Sequence, residues 1–351
     1  MSLHEAMLYE KLGEGKVSCQ LCARRCLIND GGTGFCLVRK NERGKLYSLV
    51  YAKAISASID PIEKKPLFHF NPGATVLSVA TMGCNFRCRF CDNWMISQEK
   101  QIAGRDFPPQ EVVKATRDNM CSGISYTYTE PTIFAEYAYD TAVLARQVQF
   151  FNTFVTNGYM TPETVKKIAP VLNAATIDFK GGGDPEFYKT YSAVPSTEPI
   201  YQTLIEMRKN DIHMEITNLI VPRIGDSIEI IKRLATWIRD ALGKETPFHL
   251  LRFHPDYQMT NVQATPIDTL EKAYIASKDA GLNYVYVGNI PGHPCENTYC
   301  PNCNELLIKR YSFDITKWNL TKDMRCPVCG RQIAIEGKLH AGGYSYPQTL
   351  F

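Results

Sequence analysis

The sequence lacks both a strong excess of charge and any long apolar run. Its 351 residues carry 39 Lys and Arg against 36 Asp and Glu, a formal net charge of +3. This balance disfavours strong attraction to nucleic acid or a membrane surface. No uninterrupted apolar stretch approaches the roughly 20 residues that cross a bilayer, and Met1 to Lys16 is polar, without the apolar core of a secretion signal. We therefore expect a cytoplasmic protein with no membrane or nucleic-acid partner.

Cysteine, by contrast, is abundant. In a chain with no secretion signal, thirteen cysteines point to metal sites rather than disulfides. Only Cys121 and Cys295 lie outside groups with ligand-like spacing. The three groups are Cys19, Cys22, Cys26 and Cys36; then Cys84, Cys88 and Cys91; then Cys300, Cys303, Cys326 and Cys329.

The middle group has three cysteines at Cys-x3-Cys-x2-Cys spacing, Cys84, Cys88 and Cys91. Iron–sulfur clusters are held by cysteine thiolates, and three thiolates are one short of the four irons of a [4Fe–4S] cube. The fourth iron is then free to bind a small molecule. The alternatives are a zinc knuckle or unpaired core cysteines. A zinc site normally needs a fourth Cys or His, and none lies close in sequence.

The N-terminal group joins two short cysteine loops through a glycine-rich turn, Gly31 to Gly34. Four cysteines suit a closed tetrahedral zinc site or a second iron–sulfur cluster. A loop of reduced, buried cysteines is the remaining alternative. The spacing predicts a metal here but does not choose between zinc and iron.

The C-terminal group consists of two matching Cys-Pro-x-Cys knuckles, Cys300 to Cys303 and Cys326 to Cys329, with 22 residues between them. This spacing is typical of a zinc ribbon, whose four thiolates fill the tetrahedral shell of the metal. A rubredoxin-type iron site has similar spacing. We predict zinc, with a role in structure or in docking a partner.

Between these groups, short apolar runs alternate with segments of helical periodicity, which predicts an α/β fold with a parallel sheet and right-handed crossovers. The predicted strands are 75–80, 123–128, 151–155, 175–179, 213–221, 249–253 and 284–287. The predicted helices are 133–147, 162–172, 200–210, 227–242 and 267–280.

The cysteine spacing and this alternation together resemble the radical S-adenosylmethionine (SAM) enzymes. Phe90 occupies the aromatic position of their motif. The resemblance implies a partial (β/α)6 barrel over residues 73–294, between an N-terminal cysteine-rich segment, 1–72, and a zinc-ribbon-like domain, 295–351. It also implies that the open iron chelates SAM. One electron, from a donor such as flavodoxin or ferredoxin, then cleaves SAM to a 5′-deoxyadenosyl radical.

Polar residues at the predicted strand ends are the candidates for binding SAM, because the carboxyl ends of barrel strands face the active site. Glu130 is expected to accept a hydrogen bond from the SAM amino group, or else to be a charge in the first turn of a helix. Thr156 and Asn157 either contact SAM or form a simple turn. Asp178 and Lys180 share a strand face and either touch a ligand or form a structural ion pair.

The last two strands supply four further candidates. Arg252 and His254 share one strand face. His254 either contacts SAM or the substrate, or is a buried histidine whose hydrogen bonds are made within the core. Gly288 and Asn289 end the last strand, where glycine lets the backbone approach a ligand closely.

Over nearly its whole length the chain is similar to the radical SAM enzyme of the AmmeMemoRadiSam system. The similarity lies in the N-terminal cysteines, 60–70, 82–94, 126–132, 178–180, 252–257 and 288–303. It implies the other proteins of that system as partners. The chain is more distantly similar to the pyruvate formate-lyase activating enzymes, so hydrogen abstraction from a glycine of a partner protein is the alternative function. Where those enzymes carry a cation-binding Asp, this chain has Val155.

Overall fold

A nine-stranded sheet forms the centre of the molecule in the computed structural model, which describes residues 3–340 and 348–351. Residues 1–2 and 341–347, which belong to the predicted N-terminal and C-terminal segments, therefore lie outside the described residues. Seven of the described strands run parallel. They are Thr75–Ala80, Gly123–Tyr126, Phe151–Thr156, Ala174–Lys180, His213–Ile220, Phe248–Arg252 and Val285–Gly288.

The parallel strands lie in sequence order across the sheet, and helices connect them. The sheet stays open, because Val285–Gly288 forms one edge while Ser56–Pro61 pairs antiparallel with Thr75–Ala80 on the other side, followed by Gln348–Thr349. The predicted partial barrel is thus confirmed. The α-helices are Trp94–Ser97, Pro109–Asp118, Ala135–Gln147, Pro162–Ile168, Pro185–Ser192, Glu198–Lys209, Ile228–Ala241 and Ile267–Asp279.

The longer helices cover the sheet with one apolar face. Ile228–Ala241 begins at Ser227, whose side chain accepts a hydrogen bond from the Ile230 N–H, and it buries Ile231, Leu234 and Ile238. The predicted helix 162–172 ends earlier, at Ile168. Pro170 explains this, because proline lacks the N–H that would continue the hydrogen bonds of the helix, although Ala169 itself keeps helical dihedral angles.

Two smaller units flank the sheet. Short antiparallel strands form the N-terminal part: His4–Glu5, Tyr9–Lys11, Val17–Cys19, Leu27–Ile28, Arg39–Glu42, Lys45–Ser48 and Lys53–Ala54, the last paired with Arg105–Asp106. The C-terminal unit is the three-stranded sheet Thr298–Tyr299, Leu306–Tyr311 and Asp314–Trp318. Short 3-10 turns lie at Gly13–Gly15, Ile62–Lys64, Pro131–Phe134, Gly181–Gly183 and Pro294–Glu296.

Within the described part of the chain, we find no helix with the length and apolar character needed to cross a membrane.

Candidate active site

The three central cysteines lie on the loop that follows the strand Thr75–Ala80, at the carboxyl end of the sheet. Cys88 Sγ lies 3.3 Å from Ser192 Oγ, and Cys91 Sγ lies 3.3 Å from Ser97 Oγ. Burial raises the pKa of all three thiols, that of Cys88 to about 11. Without a positively charged partner the thiols would stay protonated, so the loop favours a metal centre that stabilises thiolates.

The spacing of the sulfur atoms distinguishes this loop from a site for one ion. Among the described residues, only the C-terminal cysteines bring three or more candidate ligand atoms within 4.8 Å of one another. The sulfurs of Cys84, Cys88 and Cys91 are spread more widely. A cluster that binds each thiolate to a different iron requires such separation, whereas a single tetrahedral ion does not.

The loop opens on a cavity of about 500 Å³, within the range usual for small-molecule sites. Every residue predicted to act in catalysis or cofactor binding lines this cavity, so the structure brings the whole predicted set together. The set is Cys84, Cys88, Phe90, Cys91, Glu130, Thr156, Asn157, Asp178, Lys180, Arg252, His254, Gly288 and Asn289. The fold explains this convergence, because each lies at or near the carboxyl end of a parallel strand.

Glu130 has the structural role that the sequence offered as an alternative, and it also lies at the cavity. Its carboxylate accepts hydrogen bonds from the Thr132 N–H at 3.0 Å, the Thr156 hydroxyl at 2.7 Å and the Asn157 N–H at 2.8 Å. It therefore caps the turn Pro131–Phe134 and ties two strand ends together. Burial raises its pKa, and these hydrogen bonds oppose that effect. Glu130 also lines the cavity, so the structural role leaves it able to face a ligand.

Asp178 and Lys180 point into the cavity from one face of their strand, and Lys180 Nζ lies 4.0 Å from Asp178 Oδ2. The Thr217 hydroxyl donates to Asp178. Burial on its own would lower the pKa of Lys180, but Asp178 and the cysteines raise it overall. Lys180 is thus a lysine held in its charged form beside the cysteine loop.

Elsewhere in the cavity lining, the Arg252 guanidinium donates to the Thr265 carbonyl at 2.9 Å, and Asn289 Nδ2 donates to the Arg252 carbonyl at 3.0 Å. His254 is exposed, so the alternative of a core histidine is wrong. A Cβ at Gly288 would lie 2.6 Å from Leu251 Cδ2. The packing of Leu251 therefore accounts for a glycine at this position, just as a close approach of the backbone to a ligand would.

The sequence did not identify several other residues that line the cavity. Lys65, 2% exposed, donates to Asp60 at 2.8 Å, and burial lowers its pKa to about 8 although Asp60 opposes the shift. His249 Nε2 lies 2.8 Å from the buried Glu215 carboxylate. Lys65 lies in segment 60–70, which is similar to the AmmeMemoRadiSam enzyme, but the similarity suggested no role for this residue. Glu63, Glu296, Ser312 and Phe313 also line the cavity.

The C-terminal cysteines have the geometry of a single-ion site. Cys300 Sγ lies 3.5 Å from Cys329 Sγ, and Cys303 Sγ lies 3.6 Å from Cys326 Sγ. Zn–S bonds of about 2.3 Å in a tetrahedron place sulfurs about 3.8 Å apart, so the four residues fit a metal ion with no open position. Ser312 and Phe313 belong to the same small sheet region, so this unit also closes part of the cavity.

Comparison with known proteins agrees with this geometry. The chain matches the family model of the radical SAM superfamily over residues 78–238. It is 49% identical over 336 residues to an uncharacterized protein of Methanocaldococcus jannaschii, covering 95% of this chain and 99% of the relative. A second uncharacterized protein of that organism is 23% identical over 283 residues, 77% of each chain.

Among solved structures, a radical SAM methyltransferase from Sphaerobacter thermophilus superposes with a TM-score of 0.50 at 15% identity, covering 64% of this chain and 70% of that one. At this identity the likeness shows a shared fold. The family match spans the cysteine loop and most of the parallel strands that form the cavity. From the match, the shared fold and the placement of the cysteines, we conclude that the chain belongs to the radical SAM superfamily of enzymes.

Proposed function

We propose that this enzyme binds a [4Fe–4S] cluster through Cys84, Cys88 and Cys91 and uses SAM to begin a radical reaction on a substrate in the cavity. The observation that carries the proposal is that the three thiols and the polar strand ends line one cavity. When bound, the reduced cluster supplies one electron that cleaves SAM into methionine and a 5′-deoxyadenosyl radical. The protein would take that electron from a donor such as flavodoxin or ferredoxin in the cytoplasm.

The residues near the cysteine loop are suited to hold SAM. Glu130 and Asp178 offer carboxylate acceptors for its amino group and ribose, and Lys180 offers a charged donor for its carboxylate. Asn157 donates to Asn85 Oδ1 at 2.7 Å and approaches Cys84 Sγ at 3.9 Å, so it positions the loop as well as the cavity wall.

Apolar side chains fill the remaining wall and keep water from the reactive centre. Phe90 and Phe179 are buried and line the cavity with Leu251 and Val287. Phe90 also packs against Phe187, with ring centroids 5.7 Å apart. A dry, rigid wall protects a radical from side reactions and holds the substrate carbon near its attacker.

We place the substrate against the lining residues that the sequence did not identify. Lys65, His249, Glu63 and Glu296 give the cavity both signs of charge, and Phe313 adds an apolar surface. This combination suits a small polar molecule, or a polar segment of one of the other AmmeMemoRadiSam proteins.

The test uses anaerobically reconstituted protein, reduced with dithionite and mixed with SAM alone. We expect 5′-deoxyadenosine and methionine in equal amounts, and a change in the electron paramagnetic resonance (EPR) signal when SAM is added. Cys121→Ala is the matched control, because this buried thiol donates to the Asn119 carbonyl and lines none of the described cavities. Fully iron-loaded protein that makes no 5′-deoxyadenosine would contradict the proposal.

The alternative, activation of a glycyl radical enzyme, predicts a different result. Val155 lines the cavity at the place where the activating enzymes carry their cation-binding Asp. A stable glycyl radical signal in an added partner protein, with one 5′-deoxyadenosine per radical, would support the alternative. Turnover of a small molecule without that signal would exclude it.

A further inference from the structure

The N-terminal cysteines Cys19, Cys22, Cys26 and Cys36 line one small cavity of their own, separate from the SAM cavity. Cys19, Cys22 and Cys36 are buried, and burial raises the pKa of Cys36 to about 11. Unlike the C-terminal cysteines, no three of these sulfurs lie within 4.8 Å of one another in the described structure. In this respect the group resembles Cys84, Cys88 and Cys91.

Two buried N–H donors that line this cavity have no hydrogen-bond partner among the described residues. They are Asn85 Nδ2, on a residue that is 0% exposed, and Arg39 Nε, on a residue that is 2% exposed. A third donor, the Phe35 N–H, lies 3.5 Å from Cys26 Sγ. Buried donors normally have partners, so two orphans at one cavity point to an absent acceptor.

The chemistry of that acceptor follows from the surroundings. It is anionic or rich in lone pairs, it takes hydrogen bonds from both Asn85 and Arg39, and it binds four thiolates that are spread apart. Inorganic sulfides and cysteine sulfurs of an iron–sulfur cluster meet all three conditions, and hydrogen bonds to these sulfurs tune the cluster's potential. A single zinc ion requires the thiolates to close around it and offers no sulfide as an acceptor.

The site lies directly against the catalytic loop. A Cβ at Gly83 would lie 2.9 Å from the Cys36 carbonyl oxygen, so only glycine permits this approach of the two backbones. The Arg87 guanidinium donates to the Phe35 carbonyl, and Arg24 Nε donates to the Asn85 carbonyl at 2.9 Å. Asn85, the neighbour of Cys84, thus contacts both cysteine sites.

We propose that Cys19, Cys22, Cys26 and Cys36 bind a second iron–sulfur cluster, which exchanges electrons with the cluster on the Cys84 loop. A reduced flavodoxin or ferredoxin would give one electron to the N-terminal cluster, and that cluster would pass it to the catalytic cluster and return to its oxidised state. Each transfer oxidises one centre and reduces the next by one electron. The cluster assignment stands alone, whereas the electron exchange rests on the proposed function.

The first experiment removes the catalytic cluster and asks what remains. The Cys84→Ala, Cys88→Ala, Cys91→Ala variant, purified anaerobically, is expected to keep iron, acid-labile sulfide and visible cluster absorption. Adding Cys22→Ala and Cys26→Ala should remove them, while Cys121→Ala should not. If that five-fold variant does not fold, the wild-type chain decides: Mössbauer counting should find more iron than the roughly four atoms of one cube.

Zinc without sulfide in the triple variant would overturn the assignment. Failure of the proposed function has a separate signature, since wild-type protein that makes no 5′-deoxyadenosine could still keep the second cluster.

The second experiment tests electron exchange. When both clusters are reduced, the wild-type EPR spectrum should show broadening from spin–spin interaction, and the triple variant should show one simple signal. In the triple background, Asn85→Leu should lower the potential of the remaining cluster, because it removes an N–H donor that favours the reduced, more negative state. Two signals without interaction would overturn the electron exchange, and an unchanged potential would overturn the hydrogen bond from Asn85 to the second cluster.

Discussion

The two ends of the chain each carry four cysteines, and the structure gives them different surroundings. At the C-terminal end the sulfurs lie within 4.8 Å of one another, and Cys303 and Cys329 are exposed. At the N-terminal end the sulfurs are spread around a buried cavity with two orphan N–H donors. The comparison teaches that the number of cysteines predicts a metal site. The distances between the sulfur atoms and their burial predict whether that site suits a single ion or an iron–sulfur cluster.

Their positions relative to the reactive cavity differ as well. The N-terminal group touches the catalytic loop through Asn85 and Gly83. The C-terminal unit contributes the wall residues Ser312 and Phe313, but none of its cysteines lines the cavity. One end is thus placed to exchange electrons and the other to shape the substrate site.

The largest effect should come from the loop between the two ends. Replacing Cys84, Cys88 and Cys91 together by Ala should reduce 5′-deoxyadenosine formation to the level of a protein-free control, because no thiolate remains to hold the cluster. The metal that we expect at the C-terminal group should stay, which metal analysis will test. Reduced triple variant that still makes 5′-deoxyadenosine would mean that the catalytic cluster lies elsewhere.

Cys326→Ser should break the C-terminal group without affecting the N-terminal one. A structural zinc supplies about 10 kcal/mol or more of binding energy to the fold around it, so its loss should unfold the small sheet locally. Iron content and SAM cleavage without substrate should stay within about twofold of wild type, whereas proteolysis of residues 298–333 should accelerate. Iron in place of zinc, with a rubredoxin-like spectrum, would contradict the zinc assignment.

Metal removal should expose the contrast in thiol reactivity. In reduced, chelator-treated protein at pH 7, Cys303 and Cys329 should react with iodoacetamide before Cys36, because both are exposed and loss of the metal leaves them open to solvent. Cys36, buried and with its pKa raised to about 11, should react only as pH rises towards that value. Mass spectrometry of labelled peptides gives the order in which the thiols are alkylated. Equal alkylation rates for the N-terminal and C-terminal cysteines at pH 7 would contradict this prediction.

The smallest effect should come from a substitution in the cavity wall, because it leaves both the N-terminal and the C-terminal cysteine groups intact. Asp178→Asn should weaken SAM binding about tenfold, the loss expected for one hydrogen bond to a charged group. Iron and zinc contents should not change. Titration of the SAM-dependent EPR change measures the affinity, and Asp184→Asn serves as the control, since this residue only caps the helix Pro185–Ser192. Unchanged affinity would show that Asp178 serves only its pair with Lys180.

Much of this could be predicted from the sequence because the signals are local. Cys-x3-Cys-x2-Cys and the paired Cys-Pro-x-Cys knuckles depend on spacing within a few residues, and the alternation of apolar runs with helical periodicity fixes the parallel sheet. Residues at strand ends could be named because parallel strands bring their carboxyl ends to one edge. The prediction was wrong at some boundaries, such as the helix that stops at Ile168 before Pro170, and it omitted the helices Pro109–Asp118 and Pro185–Ser192 and the strand Ser56–Pro61.

The sequence alone therefore predicted the superfamily and the fold class, which are confirmed, and it is also the source of the proposed catalytic loop and of the proposed metal sites at both ends. Only the tertiary structure decided the rest, because it depends on contacts between residues far apart in the chain. Lys65 reaches the cavity from a segment before the first parallel strand, and Phe313 reaches it from beyond the last. Asn85 likewise lines the cavity of the N-terminal cysteines, and its carbonyl accepts a hydrogen bond from Arg24, 61 positions earlier in the chain. No local pattern encodes such distances, since burial and packing against the whole sheet set them.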